Sequence, residues 1–171
     1  IGSSGHEGNV VVAEATRVTD PAFLHYRSGA FFVHRGSKVP GHKAVRDVLL
    51  GVVAAAAEPI AGGRHKVFGS LALAIPPQTS TIASHLPKAM GAAFALERAK
   101  RLGIAPNSPP DAIIVCSMGD ASLAHSTAAG AIQAACSIAY QRLPMPILFV
   151  CEDNGLGISV QTPRGFIAAS Y

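Results

Sequence analysis

The chain has 171 residues, of which 49% are hydrophobic and 14% charged, and its net charge is +4 at pH 7. This length suits one full hydrophobic core. The positive charge is spread along the chain, which argues against a nucleic-acid-binding surface. A Pro-Pro pair interrupts the uncharged stretch from Val67 up to Lys88, which argues against a membrane span. The three cysteines show no metal-ligand spacing and indicate a reduced, cytosolic compartment.

The N-terminal part of the chain predicts a helix, a strand and a second helix. The first helix runs to about residue 15, with Ser4 as its N-cap and Glu7 completing a capping box. A short strand is expected at residues 23–26, and a helix at residues 29–35.

Residues 42–57 predict a longer helix that is followed by two loops. The apolar residues of this helix recur on one face, which indicates that the face is buried: Val45, Leu49, Val52 and Val53. Residues 59–64 contain a Gly-Gly pair and predict a loop. Residues 75–81 contain a Pro-Pro pair and several hydroxyl groups, and they predict a second loop.

The second half of the chain alternates between helices and strands. A helix begins at Ser84 or His85, has a proline in its first turn, and ends near residue 102. A loop at residues 106–110 leads to a strand at residues 112–116. A helix at about residues 124–141 then leads to a strand at residues 147–151. Two strands joined by a helix predict neighbouring parallel strands in an α/β fold.

Polar clusters follow both of these strands. Gly119-Asp120 comes after the first strand, and Asn154-Gly155 comes after the second. Ligands of open α/β sheets bind outside the carboxyl ends of the strands, and a carboxylate beside an amide oxygen suits Mg²⁺ or Ca²⁺. A helix that begins near Ser122 would direct its N-terminus at an anion. Each motif alone is typical of an Asp N-cap or an Asn-Gly turn, but together they favour a cation and phosphate site.

Two further segments are candidates for the same site. Arg27 could clamp a phosphate with the Tyr26 hydroxyl as a second donor, or the pair could be a surface arginine and a core tyrosine. The hydroxyl-rich residues 79–85 could line a pocket or could form a polar loop that caps the next helix. The chain has no nucleophile-elbow, P-loop or GxGxxG motif, which argues against a serine hydrolase, a P-loop NTPase and an ordinary dinucleotide site.

The remaining polar residues near these segments have less certain roles. His6 and His25 lie next to candidate site segments and are of more interest than the other histidines. Three acids would be too many for one cation, so at least one of Glu152 and Asp153 is expected to face solvent or an arginine.

Several short segments also carry a family resemblance. Residues 4–8 read S-G-H-E-G, residues 25–27 H-Y-R and residues 84–93 S-H-L-P-K-A-M-G-A-A, while residues 119–121 and 154–159 read G-D-A and N-G-L-G-I-S. In this order they resemble Q-G-E-E-G, Q-Y-R, T-Q-I-P-Q-A-V-G-A-A, G-D-G and N-G-Y-A-I-S. These motifs belong to the thiamine-diphosphate enzymes, and within them to the first, decarboxylating component of 2-oxo acid dehydrogenase complexes, α-subunit type. The likeness covers nearly the whole chain.

The resemblance implies thiamine diphosphate and Mg²⁺ as cofactors. At matching positions, the side chains of Asp120 and Asn154 and the carbonyl of Leu156 would bind Mg²⁺. Tyr26 and Arg27 would bind the diphosphate, and Ile82 would be the apolar wedge that keeps the cofactor bent. The implied cofactor-binding set is Tyr26, Arg27, Ser80, Ile82, Gly119, Asp120, Ala121, Ser122, Asn154 and Leu156.

The chain departs from the family pattern at several positions. Ala121 replaces the last glycine of the triplet, and Glu152 stands where some relatives carry an arginine near the diphosphate. His85 and Thr79 replace a glutamine and a serine near a potassium site of some relatives, so potassium is not predicted. The family's catalytic histidine and the glutamate that activates the cofactor are expected outside this chain, so no catalytic residue is named.

The resemblance therefore implies a three-layer αβα fold with a mostly parallel sheet, in which residues 1–171 form the diphosphate-binding domain of a longer chain. The implied activity is oxidative decarboxylation of a 2-oxo acid, with 2-oxoisovalerate preferred over pyruvate, and acyl transfer to a lipoyl-bearing acyltransferase. A β-type subunit or a fused second half would complete a dimer or heterotetramer in the cytoplasm, or in the mitochondrial matrix of a eukaryote. The alternatives are an acetoin dehydrogenase component, a transketolase-like enzyme, or a subunit that is inactive alone.

Overall fold

A computed structural model describes residues 2–104 and 109–167 of the chain. Five α-helices are present in these ranges: α1 Val10–Ala15, α2 Gly29–Ser37, α3 Ala44–Val52, α4 His85–Arg101 and α5 Ser126–Tyr140. The strands are β1 Ala22–Phe23, β2 Phe68–Ser70, β3 Ile75–Gln78, β4 Ile114–Gly119, β5 Ile147–Glu152, β6 Leu156–Gly157 and β7 Val160–Gln161. Residues 106–108 of the loop predicted at residues 106–110 lie outside the described residues.

The central sheet has the strand order β1-β4-β5, and both pairings are parallel. The two strands predicted in the second half are therefore confirmed as neighbours. Their register pairs Ile114 with Ile147 at one end and Gly119 with Glu152 at the other. The polar residues that follow β4 and β5 consequently leave the same edge of the sheet.

Helices cover both faces of this sheet, which confirms the three-layer α/β fold. Alternate side chains of β4 point to opposite faces: Cys116 and Met118 join one hydrophobic cluster, and Val115 joins the other. The first cluster contains residues of α4 and α5, and the second contains residues of α1, α2 and α3. All six residues of β4 are buried, as expected for a central parallel strand.

The helices α4 and α5 pack closely because their buried faces are largely alanine. Leu86, Ala89 and Ala93 of α4 are inaccessible to solvent, and Ala128 and Ala131 of α5 lie in the same cluster. The bounds of both helices agree with the predictions to within two residues. Within the described residues, no helix combines the length and the apolar character needed to cross a membrane.

The loop predicted at residues 75–81 is wrong for its first part. Ile75–Gln78 forms β3, which pairs antiparallel with β2. A proline cannot donate to a ladder and is tolerated on an edge strand, and Pro76 and Pro77 lie in a sheet of only two strands. Gly69 permits the pairing, because a Cβ there would lie 3.0 Å from Cα of Pro77.

The predicted buried face of the helix at residues 42–57 is also wrong. The helix ends at Val52, and the four apolar residues of that face are 56–68% exposed: Val45, Leu49, Val52 and Val53. The helix packs instead through Ala44 and Val48, which join the second hydrophobic cluster. Periodicity predicted a helix with an apolar stripe, but it could not tell which side the rest of the fold would cover.

The first helix and the first strand are shorter than the sequence predicted, whereas the helix predicted at residues 29–35 is confirmed as α2. A 3₁₀ turn at Glu7–Asn9 precedes α1, and no side chain caps it, so the capping box of Ser4 and Glu7 is wrong. Gly5, with φ of 80°, redirects the chain before this turn. The strand expected at residues 23–26 ends at Phe23, because the backbone N–H of His25 donates to the Ser117 hydroxyl instead of to a neighbouring strand.

Candidate functional site

A cleft of about 290 Å³ lies at the carboxyl ends of β1 and β4. Nine of the ten predicted cofactor-binding residues line it: Tyr26, Arg27, Ile82, Gly119, Asp120, Ala121, Ser122, Asn154 and Leu156. The cleft also contains residues that sequence reasoning did not include in that set, namely Ser4, His6, His25, Gly157 and Ile158. Ser80 does not line it; its hydroxyl lies 3.3 Å from Nε2 of His65.

Asp120 is a buried carboxylate at the end of β4. Its side chain accepts a hydrogen bond of 2.5 Å from the Thr162 hydroxyl and does not cap a helix. Of the two starts expected for the next helix, the one near residue 124 agrees with α5, which begins at Ser126, but the one near Ser122 is wrong, because Asp120–Ala124 is a 3₁₀ turn. Nδ1 of His125 accepts from the N–H of Thr127 and caps α5. The anion-facing helix N-terminus is therefore absent from the described structure.

Asn154 also lines the cleft, where it forms a polar turn. Its Oδ1 accepts from the N–H of Leu156 at 3.0 Å, and its Nδ2 donates to the carbonyl of Ser4. Gly155 follows with φ of 71°, so the Asn-Gly turn foreseen as the alternative is present. This turn and metal binding are compatible, because an amide oxygen has two lone pairs.

The chain after this turn folds back over Asp120. The strands β6 and β7 form a short antiparallel ribbon, and a Cβ at Gly157 would lie only 2.9 Å from that of Ala121. The ribbon brings Thr162 to Asp120. Sequence reasoning missed Thr162, and nothing in its local sequence marks it, since it approaches the site only through this ribbon.

Basic groups lie at the Tyr26 side of the cleft. The Arg27 guanidinium donates to the carbonyl of Gly2 at 2.7 Å and lies 5.4 Å from the centre of the Tyr26 ring. Lys66, which the sequence did not single out, donates to the carbonyl of Tyr26. Burial and then the charge of Arg27 lower the pKa of Lys66. This side of the cleft is suited to a negatively charged group.

Two stacked histidines form another wall. The rings of His6 and His25 lie 4.7 Å apart and are nearly parallel. Nδ1 of His6 is 2.7 Å from one Glu152 oxygen, and Asn9 donates to the other at 2.6 Å. Burial, followed by the charges of neighbouring basic groups, lowers the pKa of His25 to about 3.

These contacts show where the two acids after β5 lie. Glu152 faces His6 and Asn9, not an arginine, while Asp153 is exposed and accepts from the N–H of Gly155. The expectation that one acid faces solvent is met by Asp153. The sequence had drawn attention to His6 and His25 by position alone, but it gave no indication of Asn9.

The segment before α4 contributes an apolar side chain and a supporting histidine. Ile82 is partly exposed at the cleft and precedes Ala83, whose φ is 60°. His85 is buried and donates from Nε2 to the carbonyl of Ser117 at 2.7 Å. Burial lowers the pKa of His85. The Thr79 and Thr81 hydroxyls lie 3.1 Å apart, and the Ser84 hydroxyl donates to the carbonyl of Thr81. This segment therefore presents mainly Ile82 to the cleft.

The donor set of the cleft fits a hard cation. Asp120 offers a carboxylate and Asn154 an amide oxygen, and both line the same cleft. Among the residues that the structure describes, no group of three or more His, Cys, Asp or Glu side chains could hold a metal. A cation here would need backbone, water or ligand oxygens, a pattern that Mg²⁺ tolerates well. Cys151 does not compete, because burial and the nearby acids raise the pKa of its thiol to about 11.

Two comparisons with known proteins agree with this geometry. Over 99 residues, or 58% of this chain, the sequence is 35% identical to a protein of Arabidopsis thaliana named 2-oxoisovalerate dehydrogenase subunit alpha 2, mitochondrial. The chain spans only 18% of the length of that relative. The family model described as dehydrogenase E1 component matches residues 1–171. The family predicted from the motifs is thus confirmed, and the chain belongs to the dehydrogenase E1 component family.

Proposed function

We propose that this chain supplies the diphosphate-binding half of a thiamine-diphosphate-dependent enzyme that oxidatively decarboxylates a 2-oxo acid. The main support is one observation: the Asp120 carboxylate, the Asn154 amide and the Tyr26-Arg27 pair line a single cleft at the carboxyl ends of parallel strands. Family membership and the resemblance of the motifs point to the same cofactor.

Different residues of the cleft bind different parts of the cofactor. Asp120, Asn154 and the carbonyl of Leu156 hold Mg²⁺, which neutralises part of the diphosphate charge. Arg27 and Tyr26 bind the diphosphate, Gly119, Ala121 and Ser122 lie beside it, and Ile82 packs against the body of the cofactor. When bound, thiamine diphosphate supplies the electron sink for loss of CO₂ from the 2-oxo acid. The catalytic histidine and the activating glutamate come from outside this chain.

We also propose which 2-oxo acid the enzyme uses and which subunits complete it. The name of the Arabidopsis relative favours a branched-chain 2-oxo acid such as 2-oxoisovalerate, with a pyruvate or acetoin dehydrogenase component as the alternative. A β-type subunit or fused second half completes the site in a dimer or heterotetramer, and a lipoyl-bearing acyltransferase accepts the acyl group. The domain assignment of residues 1–171 and the cytoplasmic or mitochondrial-matrix location remain predictions.

Cofactor binding is tested by thermal-shift titration of the full-length, assembled protein with thiamine diphosphate and Mg²⁺. A ligand that binds the native state raises the melting temperature. Asp120→Asn keeps the size of the side chain but removes its charge, so Mg²⁺-dependent affinity for thiamine diphosphate should fall about tenfold or more. Asp111→Asn is the matched control, because Asp111 is exposed, pairs with Arg17 and lies outside the cleft.

Two outcomes would contradict the proposal. The absence of a thermal shift in the wild-type assembly would refute the cofactor, and equal affinities in the two variants would refute the metal-ligand role of Asp120. Turnover of 2-oxoisovalerate, pyruvate and 2-oxoglutarate with an artificial electron acceptor then decides the substrate. We expect 2-oxoisovalerate to have the highest kcat/KM.

A further inference from the structure

His25 is held in one tautomer by its own backbone. Its Nδ1 accepts the N–H of Arg27 at 3.3 Å, so the ring proton of the neutral imidazole lies on Nε2. The lowered pKa of about 3 keeps the ring neutral near pH 7. The groups whose positive charges oppose its protonation are His6, His85, Arg27 and Lys66. His25 is therefore a hydrogen-bond donor whose state does not change over the physiological pH range.

The donor atom faces the cleft. Nε2 of His25 lies 3.8 Å from the position that a Cβ on Gly119 would take, and Nε2 of His6 lies 3.9 Å from the same point. Among the described residues, no hydrogen bond uses Nε2 of His25. The absence of a side chain at Gly119 leaves room in front of both nitrogens.

A chain of contacts fixes the ring in this position. The N–H of Phe31 donates to Asn9, Asn9 and His6 each hold one oxygen of Glu152, and the His6 ring stacks on His25. From the other side, the N–H of His25 donates to the Ser117 hydroxyl. A donor with so little freedom loses little entropy when it meets a ligand.

We propose that His25 Nε2–H donates a hydrogen bond to an oxygen of the 2-oxo carboxylate group of the substrate, with His6 and Glu152 as positioning residues. This inference rests on the proposed function. Arg27 carries a full positive charge in the same cleft, which suits the more highly charged diphosphate, whereas His25 is a neutral donor, which suits a group of lower charge. The site therefore recognises the oxygens shared by all 2-oxo acids and leaves the choice of side chain to other residues.

The test uses two substitutions of His25 in the full-length, assembled enzyme loaded with thiamine diphosphate and Mg²⁺. His25→Phe keeps a flat ring but has no N–H, and His25→Gln keeps an N–H donor of similar reach. Binding of a phosphonate monoester analogue of 2-oxoisovalerate, which cannot lose CO₂, is measured by titration calorimetry. The KM for 2-oxoisovalerate, kcat and the affinity for thiamine diphosphate are measured in parallel. His34→Phe is the control, since His34 pairs with Glu14 on α1 and lies outside the cleft.

A lost hydrogen bond to a charged group costs enough to weaken binding about tenfold or more. His25→Phe should therefore weaken analogue binding and raise KM by about tenfold, with thiamine diphosphate affinity changed less than about twofold, while His25→Gln recovers most of the loss. Unchanged analogue binding in His25→Phe, or an equal loss of cofactor affinity, would overturn the inference. A wild-type assembly that binds no thiamine diphosphate would instead overturn the proposed function itself.

Discussion

Replacing Gly5 by alanine tests whether a close backbone approach positions Asn154. Gly5 has φ of 80°, and a Cβ there would lie 2.6 Å from both Cβ and Nδ2 of Asn154. Gly41 has φ of 78°, but nothing lies within 4 Å of its Cβ position. Gly41→Ala therefore imposes the same backbone conformation on an alanine without the contact, which makes it a matched control.

The free energies of unfolding of Gly5→Ala and Gly41→Ala should differ by the cost of the close contact with Asn154. A left-handed conformation costs an alanine about 1–2 kcal/mol, and both variants carry this cost. Carbon atoms pack best at about 3.5–4.0 Å, so Asn154 must move by about 1 Å, and such overpacking adds about 1–3 kcal/mol. We expect Gly5→Ala to lower the free energy of unfolding by about 2–5 kcal/mol and Gly41→Ala by about 1–2 kcal/mol.

The displacement should also affect the site. A shift of about 1 Å in a positioned group can cost two orders of magnitude in function, so Gly5→Ala should weaken Mg²⁺-dependent binding of thiamine diphosphate at least about tenfold, and Gly41→Ala should not change it. Urea unfolding and calorimetric titration of the full-length assembly measure the two effects. Equal stability and equal cofactor affinity of the two variants would refute the role assigned to the Gly5–Asn154 contact.

Two further predictions concern stability. Burial lowers the pKa of His25 to about 3, so between that value and about 6.5 the unfolded chain binds more protons than the folded one, and stability falls as the pH falls. Urea unfolding should show that the free energy of unfolding is about 2 kcal/mol lower at pH 5 than at pH 7, since each pH unit below the unfolded pKa contributes about 1.4 kcal/mol. If His25→Gln lost as much free energy of unfolding between the two pH values as the wild type, this assignment to His25 would be contradicted. Leu86→Ala removes a fully buried side chain between α4 and the sheet and should cost about 2–5 kcal/mol in the same assay. Leu102→Ala, at a position 71% exposed, is its control, and equal losses in the two would argue against the packing described.

Much of the fold follows from local patterns. The apolar runs before Gly119 and before Asp153 mark β4 and β5, and a helix-length segment between them requires a parallel crossover. The proline in the first turn of α4 and the glycine after its end fix that helix to within two residues. These signals are local, so the sequence alone carries them.

The errors have a common cause. The apolar stripe of α3 faces outward, and Pro76-Pro77 lies in a strand, because which side is covered and which strand is an edge depend on neighbours distant in sequence. The 3₁₀ turn at Asp120–Ala124 replaces the first turn of a predicted helix, where the β6–β7 ribbon contacts Asp120 and Ala121. No local pattern contains that contact.

The sequence by itself determined the family, the α/β fold and the residue types at the cleft, because the motifs are short runs of residues whose chemistry and order are already present in the unfolded chain. Only the tertiary structure decided how those residues are supported. Glu152 meets His6 across 146 positions of sequence, Thr162 meets Asp120 across 42, and His25 owes its neutral state to burial among basic groups. Hydrogen bonds and desolvation act through space, so they appear only once the chain is folded.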